Sequence, residues 1–469
     1  MRRVLPMLVL LAGCRTPRAP TPSGAGAPRA GAEIAYDVRV SPDLSTLSVR
    51  ARVERGGLGR LGLDDETAPF VRGLTVDGTL AERRDGSFGA AACLGPCEIT
   101  YDYALGDAAR ALASVETAFS RHGVVVAPPS TWLLRPLERR AEGSASLTVS
   151  SDAFVSGFFG DGPAWRLSFD DLAEAPYAAF GAFERRVLHV PGGDVDVHLG
   201  PGAFPVPHPE LVAWIARCAA AVARFYGGFP VPRVSLVVLP AEGREIGGKT
   251  MGNGGTAIVV FVGEGAPRET LDDDWVLPHE FIHLALPSLP AEHAWLEEGL
   301  STYLEPIVRL RAGELSPERM WGELFASLPS GLPAADDAGL DRTHTWGRTY
   351  WGGALFCLVA DVELRTRTHG ARGLEDALRA ALRDRGSIAV RGKIQEIFAA
   401  GDRATGTTTL TGLYETWRDT PVRVDLPALA RQLGIVRTSK GVALSDAAPL
   451  AAVRRGIEGR GTATPGSPP

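Results

Sequence analysis

Residues 279–283 read HEFIH, and residues 295–305 read WLEEGLSTYLE after a proline-containing connection. On a helix, positions i and i+4 share a face, so His279 and His283 can both reach one metal ion. Glu280 lies beside them and can take a proton from a metal-bound water. Apolar residues on both sides of the motif predict that its helix is buried. The two segments therefore predict a metal centre on a pair of helices.

A catalytic zinc ion needs a third protein ligand and an open coordination position. Fourteen residues lie between His283 and Glu298, which is enough for a turn and an antiparallel return helix. A carboxylate on that second helix can then meet the two imidazoles. Glu297 and Glu298 are both candidates, and spacing alone does not choose between them.

The two segments resemble the gluzincin metallopeptidases, in which an HExxH helix is followed by a helix with W-x-x-E-G. The resemblance implies that His279, His283 and Glu298 bind zinc. It also implies a thermolysin-like, mostly helical zinc peptidase domain. A narrower similarity, to the glycyl aminopeptidase family of zinc peptidases, covers roughly residues 33–435. The segments that carry it are 169–181, 225–239, 348–356 (RTYWGGALF), 358–382 and 413–435.

By this resemblance, Tyr350 donates a hydrogen bond to the developing oxyanion. A phenol near zinc can stabilise a tetrahedral alkoxide. The alternatives are a packing role for Tyr350 and a donor role for His344. Thr302, one turn after Glu298, either orients a ligand or lies on the helix surface.

The sequence departs from the family pattern in the segment that would bind the substrate. One aminopeptidase branch carries a Gly-x-Met-Glu-Asn motif that binds the free α-amine, and no such motif occurs here. Residues 247–255 (GGKTMGNGG) occupy the comparable edge-strand region without the glutamate. They also lack the ending that makes a phosphate-binding loop. The direction of peptide cleavage is therefore left open.

The periodicity of the chain predicts an α+β protein that begins with an antiparallel β domain. Short alternating strands separated by turn residues run from residue 33 to about 190. Beyond about residue 207 helical patterns dominate, and the resemblance described above implies a gluzincin-like catalytic domain over residues 191–435. The extension over residues 436–469 is expected to be partly disordered, with a Pro- and Gly-rich tail from about residue 455.

The first residues predict export and lipid attachment. Met1-Arg2-Arg3 precedes a short apolar run that ends in Leu11-Ala12-Gly13-Cys14. This pattern resembles the lipobox of bacterial lipoproteins, which implies a signal peptide over residues 1–13 and a lipid on Cys14. Residues 14–32 are predicted to be a flexible tether. We therefore expect a lipid-anchored protein of the bacterial cell envelope, on the outer membrane and facing the periplasm.

The net charge bears on the possible binding partners, and the cysteine positions bear on disulfide formation. The formal net charge is −6, so nucleic-acid binding has no electrostatic support. We expect a monomer. Cys93 and Cys97 lie in a tight turn and can form a small-loop disulfide after export. The triplet Asp272-Asp273-Asp274 is predicted to cap the motif helix.

Three functions follow. The leading one is a zinc metallopeptidase that hydrolyses peptides or proteins through a water activated by Glu280, with aminopeptidase activity as the narrower expectation. The alternative is a non-catalytic cell-envelope lipoprotein with a binding role on a peptidase-like scaffold. The third is a zinc hydrolase that cleaves a non-peptide bond.

Overall fold

The computed structural model describes residues 33–55, 58–84, 86–90, 93–137, 143–160, 164–439 and 441–460. The predicted signal peptide and tether, including Cys14, lie outside the described residues. No helix in the described ranges is long and apolar enough to cross a membrane.

The described residues between 33 and 180 form mainly short strands. The helices here are α1 (Leu105–Leu112), α2 (Pro129–Trp132), α3 (Phe169–Ala173) and a 3-10 turn (Ala68–Phe70). The strands are β1 (Glu33–Val40), β2 (Leu47–Arg55), β3 (Arg60–Gly62), β4 (Val71–Val76), β5 (Thr79–Leu80), β6 (Arg83–Arg84), β7 (Ser87–Gly89), β8 (Cys97–Tyr103), β9 (Phe119–Arg121), β10 (Val124–Val126), β11 (Arg135–Pro136), β12 (Ser144–Ser150), β13 (Phe154–Ser156), β14 (Ala164–Ser168) and β15 (Ala178–Phe180).

The largest sheet of this part has seven strands in the order β14-β12-β1-β2-β8-β4-β5. Strands β1 and β12 run parallel, and the remaining neighbours in this sheet are antiparallel. Burial alternates along β2, because successive side chains of a strand point to opposite faces. The predicted N-terminal antiparallel β domain is confirmed. Cys97, the first residue of β8, forms a disulfide with Cys93, and their Cα atoms are 5.6 Å apart.

A second sheet follows, built from β16 (Glu184–Val190), β17 (Gly193–Leu199), β18 (Arg233–Ala241), β19 (Ile246–Met251) and β20 (Ala257–Gly263). Its order is β16-β17-β18-β20-β19, with β17, β18 and β20 parallel and β19 an antiparallel edge strand. Helix α4 (His208–Tyr226) connects β17 to β18. It ends at Gly227, whose φ of 81° is one that glycine adopts without strain.

This second sheet is covered on both faces. Leu236 and Val238 pack into the core shared with the helices. Val237 and Leu239, on the other face, pack into a core that includes strands of the N-terminal part. An unbroken apolar run is typical of a strand with both faces buried. The sheet therefore joins the β domain to the helical region.

The rest of the chain is mostly helical, so the α+β class and the thermolysin-like helical domain are confirmed. The helices are α5 (Glu269–Asp272), α6 (Val276–His283), α7 (Ala294–Ala312), α8 (Pro317–Ser327), α9 (Gly353–Arg367), α10 (Leu374–Arg385), α11 (Ile394–Thr405), α12 (Thr409–Trp417), α13 (Leu426–Leu433) and α14 (Ala451–Ile457). Two 3-10 turns (Ala291–His293, Leu328–Gly331), a π-helical segment (Gly347–Gly352) and a hairpin of β21 (Ile435–Thr438) with β22 (Gly441–Leu444) complete it.

The start of the C-terminal tail is ordered, contrary to its composition. Residues 455–457 belong to α14, and the Ile457 side chain is buried. Buried Arg454 pairs with Glu458 at 2.7 Å, and Trp321 donates a 2.9 Å hydrogen bond to the same carboxylate. The contact with Trp321 joins residues 137 positions apart in the chain, so composition alone could not predict it. Residues 461–469 lie outside the described residues.

Candidate metal centre

Helix α6 is positioned by a carboxylate just before it. Asp274 accepts hydrogen bonds from the backbone N–H groups of Val276 (2.8 Å) and Leu277 (3.0 Å). Burial raises the pKa of Asp274 to about 6. The other two members of the acidic triplet do not cap the helix, because Asp272 and Asp273 form ion pairs with arginines. The capping prediction therefore applies to one aspartate of the three.

Two histidines of α6 meet a glutamate of α7. The Oε2 atom of Glu298 lies 3.3 Å from Nε2 of His279 and 3.5 Å from Nε2 of His283. One ligand atom from each of the three residues falls within 4.8 Å of the other two. The side chains are largely shielded, with exposed fractions of 6%, 12% and 19% for His279, His283 and Glu298. The structure thus brings the three predicted ligands together.

Glu297 points elsewhere. Its Oε1 atom accepts a 3.0 Å hydrogen bond from the backbone N–H of Leu289, in the connection between α6 and α7. Burial raises the pKa of this carboxyl to about 7. Of the two adjacent glutamates, Glu298 therefore faces the histidines and Glu297 holds the connecting loop.

A close helix crossing places Tyr350 at the same centre. A Cβ on Gly299 would lie 2.3 Å from the Cα of Gly353, so α7 and α9 touch at two glycines. Tyr350 lies in the π-helical segment just before Gly353, and such segments are frequent at functional sites. Its ring stacks with His279 at 6.5 Å between centroids. Burial, together with the charges of Glu298 and Glu280, raises the pKa of Tyr350.

Edge strand β19 passes next to Glu280. The Thr250 hydroxyl donates hydrogen bonds to Oε2 of Glu280 at 2.6 Å and to its backbone carbonyl at 3.1 Å. A Cβ on Gly248 would lie 2.7 Å from Cγ of Glu280, so the strand can approach this closely only with glycine there. Strand β19 thus fixes the buried side chain of Glu280, while the two histidines of the motif face Glu298.

Lys249 and Tyr177 border this region. Burial opposes the charge of the half-buried Lys249, but Glu298, Glu280 and Glu116 raise the pKa of its ammonium group. The pKa of buried Tyr177 is also raised, first by burial and then by the charges of Glu280 and Glu116. Both residues keep their protons at neutral pH and can act as hydrogen-bond donors.

Two tryptophans flank the centre and remain partly exposed. The Trp275 ring meets His279 edge-on at 5.8 Å, and the Trp346 ring stacks on Tyr350 at 5.9 Å. Their exposed fractions are 49% and 48%, which is high for large apolar side chains. Each ring thus touches a predicted site residue and offers its remaining surface to solvent.

The charged groups of the centre shift one another's pKa values. Burial alone would raise the pKa of the Glu298 carboxyl, but His283 and His279 bring it well below its usual range. Burial alone would lower the pKa of His283, and the negative charge of Glu298 raises it instead. Buried Nδ1 of His279 has no hydrogen-bond partner in the described ranges, so ring contacts orient this imidazole.

The remaining sequence candidates, His344 and Thr302, make no hydrogen bond or ring contact with the three predicted ligands among the described residues. His344 is exposed and makes no hydrogen bond or ring contact with a described residue. Thr302 is half-buried and its hydroxyl is likewise unpaired within the described part of the chain. His293 contacts Asp341 at 3.1 Å and so serves the loop before α7. Thr250 and Tyr177 were not predicted from the sequence. The glycine pair at residues 247–248 is the sequence feature that indicates a strand passing close to another element.

Comparisons with known proteins agree at the level of fold. No protein-family model matches the chain, and no curated protein matches its sequence. Among solved structures, an aminopeptidase N family protein from Idiomarina loihiensis is 14% identical with a TM-score of 0.65, covering 86% of this chain and 78% of that one. A mutant two-domain M1 zinc metallopeptidase bound to L-arginine is 15% identical with a TM-score of 0.52, covering 85% and 95%.

A third similar structure is a mutant M1 zinc metallopeptidase from Deinococcus radiodurans bound to a Tyr-Ser-Ala substrate. It is 14% identical with a TM-score of 0.51, covering 85% of this chain and 95% of that one. At such identities the likeness shows the fold. The chain therefore has the two-domain architecture of the M1 zinc metallopeptidases.

Proposed function

We propose that this protein is a zinc-dependent metallopeptidase that hydrolyses peptide bonds. The observation that carries the proposal is the convergence of His279, His283 and Glu298 within 4.8 Å, with Glu280 buried beside the first histidine. Two imidazole nitrogens and one carboxylate oxygen are a common donor set for catalytic zinc, and they leave a fourth position open. The residues present therefore fit the metal.

Each residue has a defined task in this proposal. When bound, zinc supplies a Lewis acid that polarises the substrate carbonyl and acidifies water. Glu280 takes a proton from the attacking water and returns it to the leaving amine. The hydrogen bond from Thr250 keeps the carboxylate of Glu280 in one orientation. Tyr350 donates its proton to a hydrogen bond with the oxyanion.

The proposed substrate class is supported by similar structures and by the side chains beside the cluster. Similar M1 structures hold L-arginine or a Tyr-Ser-Ala substrate, which supports a peptide substrate here. The aromatic rings of Trp275 and Trp346 offer apolar surface for peptide side chains beside the cluster. Aminopeptidase activity and membership of the glycyl aminopeptidase family are the narrower parts of this proposal.

The decisive experiment combines metal content with turnover on the full chain, purified without a histidine tag. We expect about one zinc ion per chain by mass spectrometry. We also expect that wild type cleaves members of a peptide library and that Glu280→Gln holds the same zinc without cleaving them. A protein that takes up no zinc would favour the non-catalytic binding role. Zinc without peptide cleavage, but with cleavage of other bonds, would favour a different hydrolase.

We also propose anchoring in the bacterial cell envelope through a lipid on Cys14, on the basis of the sequence at 11–14. Fractionation of cells tests it: wild type is expected in the outer-membrane fraction, and Cys14→Ser is expected to lose its lipid and leave that fraction. Recovery of both proteins in the same fraction would contradict the proposal. A monomer, and domains spanning 33–190 and 191–435, remain predictions of the same kind.

A further inference from the structure

Lys249 lies on edge strand β19 between Gly248 and Thr250, both of which approach Glu280. Side chains alternate along a strand, so Lys249 leaves β19 on the opposite face, the same one as Met251. Met251 packs against the core that joins the second sheet to the N-terminal β domain. The lysine stem therefore starts on the domain-facing side of the edge strand.

Carboxylates of both domains raise the pKa of the ammonium group at the end of that stem. Glu280 and Glu298 belong to the metal centre, and Glu116 belongs to the N-terminal loop between α1 and β9. All three act on the charge of Lys249. The lysine therefore leaves the strand that contacts Glu280, on the face that meets the N-terminal β domain.

Lys249 has no partner of its own. No carboxylate in the described ranges lies within 4.0 Å of its Nζ atom, and no described residue accepts a hydrogen bond from it, although it is half-buried. A half-buried cation without a direct partner can form a charged hydrogen bond to a bound anion. If Lys249 only balanced the charge of the centre, a direct ion pair with Glu280 or Glu298 would serve better.

Tyr177 adds a second unpaired donor in the same place. Its hydroxyl is buried and has no hydrogen-bond partner among the described residues. The ring belongs to the same inter-domain core that Met251 contacts. Glu280 and Glu116 act on Tyr177 just as they act on Lys249. Two donors without acceptors thus lie on the same face of the second sheet, toward the N-terminal β domain.

We propose that Lys249 and the hydroxyl of Tyr177 form an anion-binding subsite that receives a carboxylate of the peptide substrate close to the scissile bond. This inference rests on the proposed peptidase function and names the substrate class. The protein would prefer peptides that carry an acidic side chain, or a free C-terminal carboxylate, near the bond that is cut. Lys249 is the residue that determines this specificity.

The test uses the full chain and peptides that differ only in charge. One pair exchanges Glu for Gln beside a cleaved bond, and a second pair exchanges a free C-terminus for an amide. We expect wild type to prefer at least one acidic member about tenfold in kcat/KM, which is the effect of one charged hydrogen bond. Which pair shows the preference identifies the source of the carboxylate.

Variants separate recognition from a structural role. Lys249→Met is expected to abolish the ratio of the rates with acidic and neutral peptides, and Lys249→Arg is expected to retain part of it. Tyr177→Phe is expected to weaken the preference. Lys393→Met, the same change at an exposed lysine, is the matched control. If Lys249→Met slowed cleavage of acidic and neutral peptides equally, or if wild type showed no preference, the proposal would be overturned.

A binding measurement keeps this test independent of turnover. Calorimetry with Glu280→Gln protein and the same peptide pairs should show about tenfold tighter binding of the acidic member, and the added variant Lys249→Met should abolish the difference. Failure of zinc uptake and of all hydrolysis would contradict the peptidase proposal, whereas equal binding of acidic and neutral peptides would contradict only the subsite.

Discussion

The hydroxyl of Thr250 donates a 2.6 Å hydrogen bond to Oε2 of Glu280, and this bond ties edge strand β19 to the motif helix α6. The two residues are thirty positions apart in the chain. A general base must present its carboxylate in one orientation to be effective, and a neighbouring donor supplies that constraint. Thr250 is thus a positioning residue for Glu280.

Removing the Thr250 hydroxyl should slow catalysis without loss of metal. Thr250→Val keeps the shape of the side chain and leaves one oxygen of Glu280 without its donor. We expect kcat to fall about tenfold or more, with zinc content unchanged. Thr250→Ser retains the hydroxyl and should restore most of the rate. Equal loss in the Val and Ser variants would show that packing, not the hydrogen bond, matters.

Adjacent glutamates provide a matched test of the third ligand. Glu298→Gln removes the carboxylate that lies 3.3 Å and 3.5 Å from the two imidazoles. We expect zinc affinity to fall more than about 100-fold, measured by competition with a chelator. Glu297→Gln can still accept the hydrogen bond from Leu289 and should retain zinc. The opposite pattern would assign the ligand to Glu297.

Loss of the Tyr350 hydroxyl should affect the rate more than substrate binding. Tyr350→Phe keeps the ring stacked between His279 and Trp346. Because the proposed hydrogen bond forms to the oxyanion, kcat should fall about 100-fold while KM and zinc content change little. His344→Gln is the control for the rival donor, and a larger loss of kcat in that variant would reverse the assignment.

The Asp274 cap predicts a pH dependence of stability. Burial raises its pKa from 3.8 to about 6, so the folded protein binds this proton more tightly than the unfolded chain. Its contribution is then fully present below about pH 4 and is lost as the pH rises through 6. Relative to Asp274→Asn, the free energy of unfolding should fall by up to about 3 kcal/mol over that range. A pH-independent difference in urea denaturation would contradict this.

The buried ion pair near the C-terminus predicts a strong effect on stability. Arg454→Met removes the 2.7 Å partner of the fully buried Glu458 carboxylate and leaves it only the more distant Arg460, at 3.6 Å. We expect the free energy of unfolding to fall by about 3–5 kcal/mol in chemical denaturation. Arg455→Met, at a more exposed neighbour, should match wild type within about 0.5 kcal/mol. Similar losses in both variants would point to helix α14 as a whole.

Local patterns in the sequence were sufficient for several features. The i, i+4 spacing of His279 and His283 places both imidazoles on one face of a helix, whatever surrounds it. The alternating strands before residue 190, the apolar run of β18 and the glycine that ends α4 follow from periodicity and backbone preference in the same way. Each of these depends on contacts within a few residues.

Only the tertiary structure decided which neighbours share the site. Glu297 and Glu298 are adjacent on one helix, and the crossing of α7 with its partners turns Glu298 toward the histidines. Thr250 and Lys249 come from strand β19, and Tyr177 comes from the N-terminal β domain. Composition predicted disorder where Glu458 instead accepts a hydrogen bond from the distant Trp321. Such contacts are set by the packing of distant segments against one another, which local periodicity does not encode.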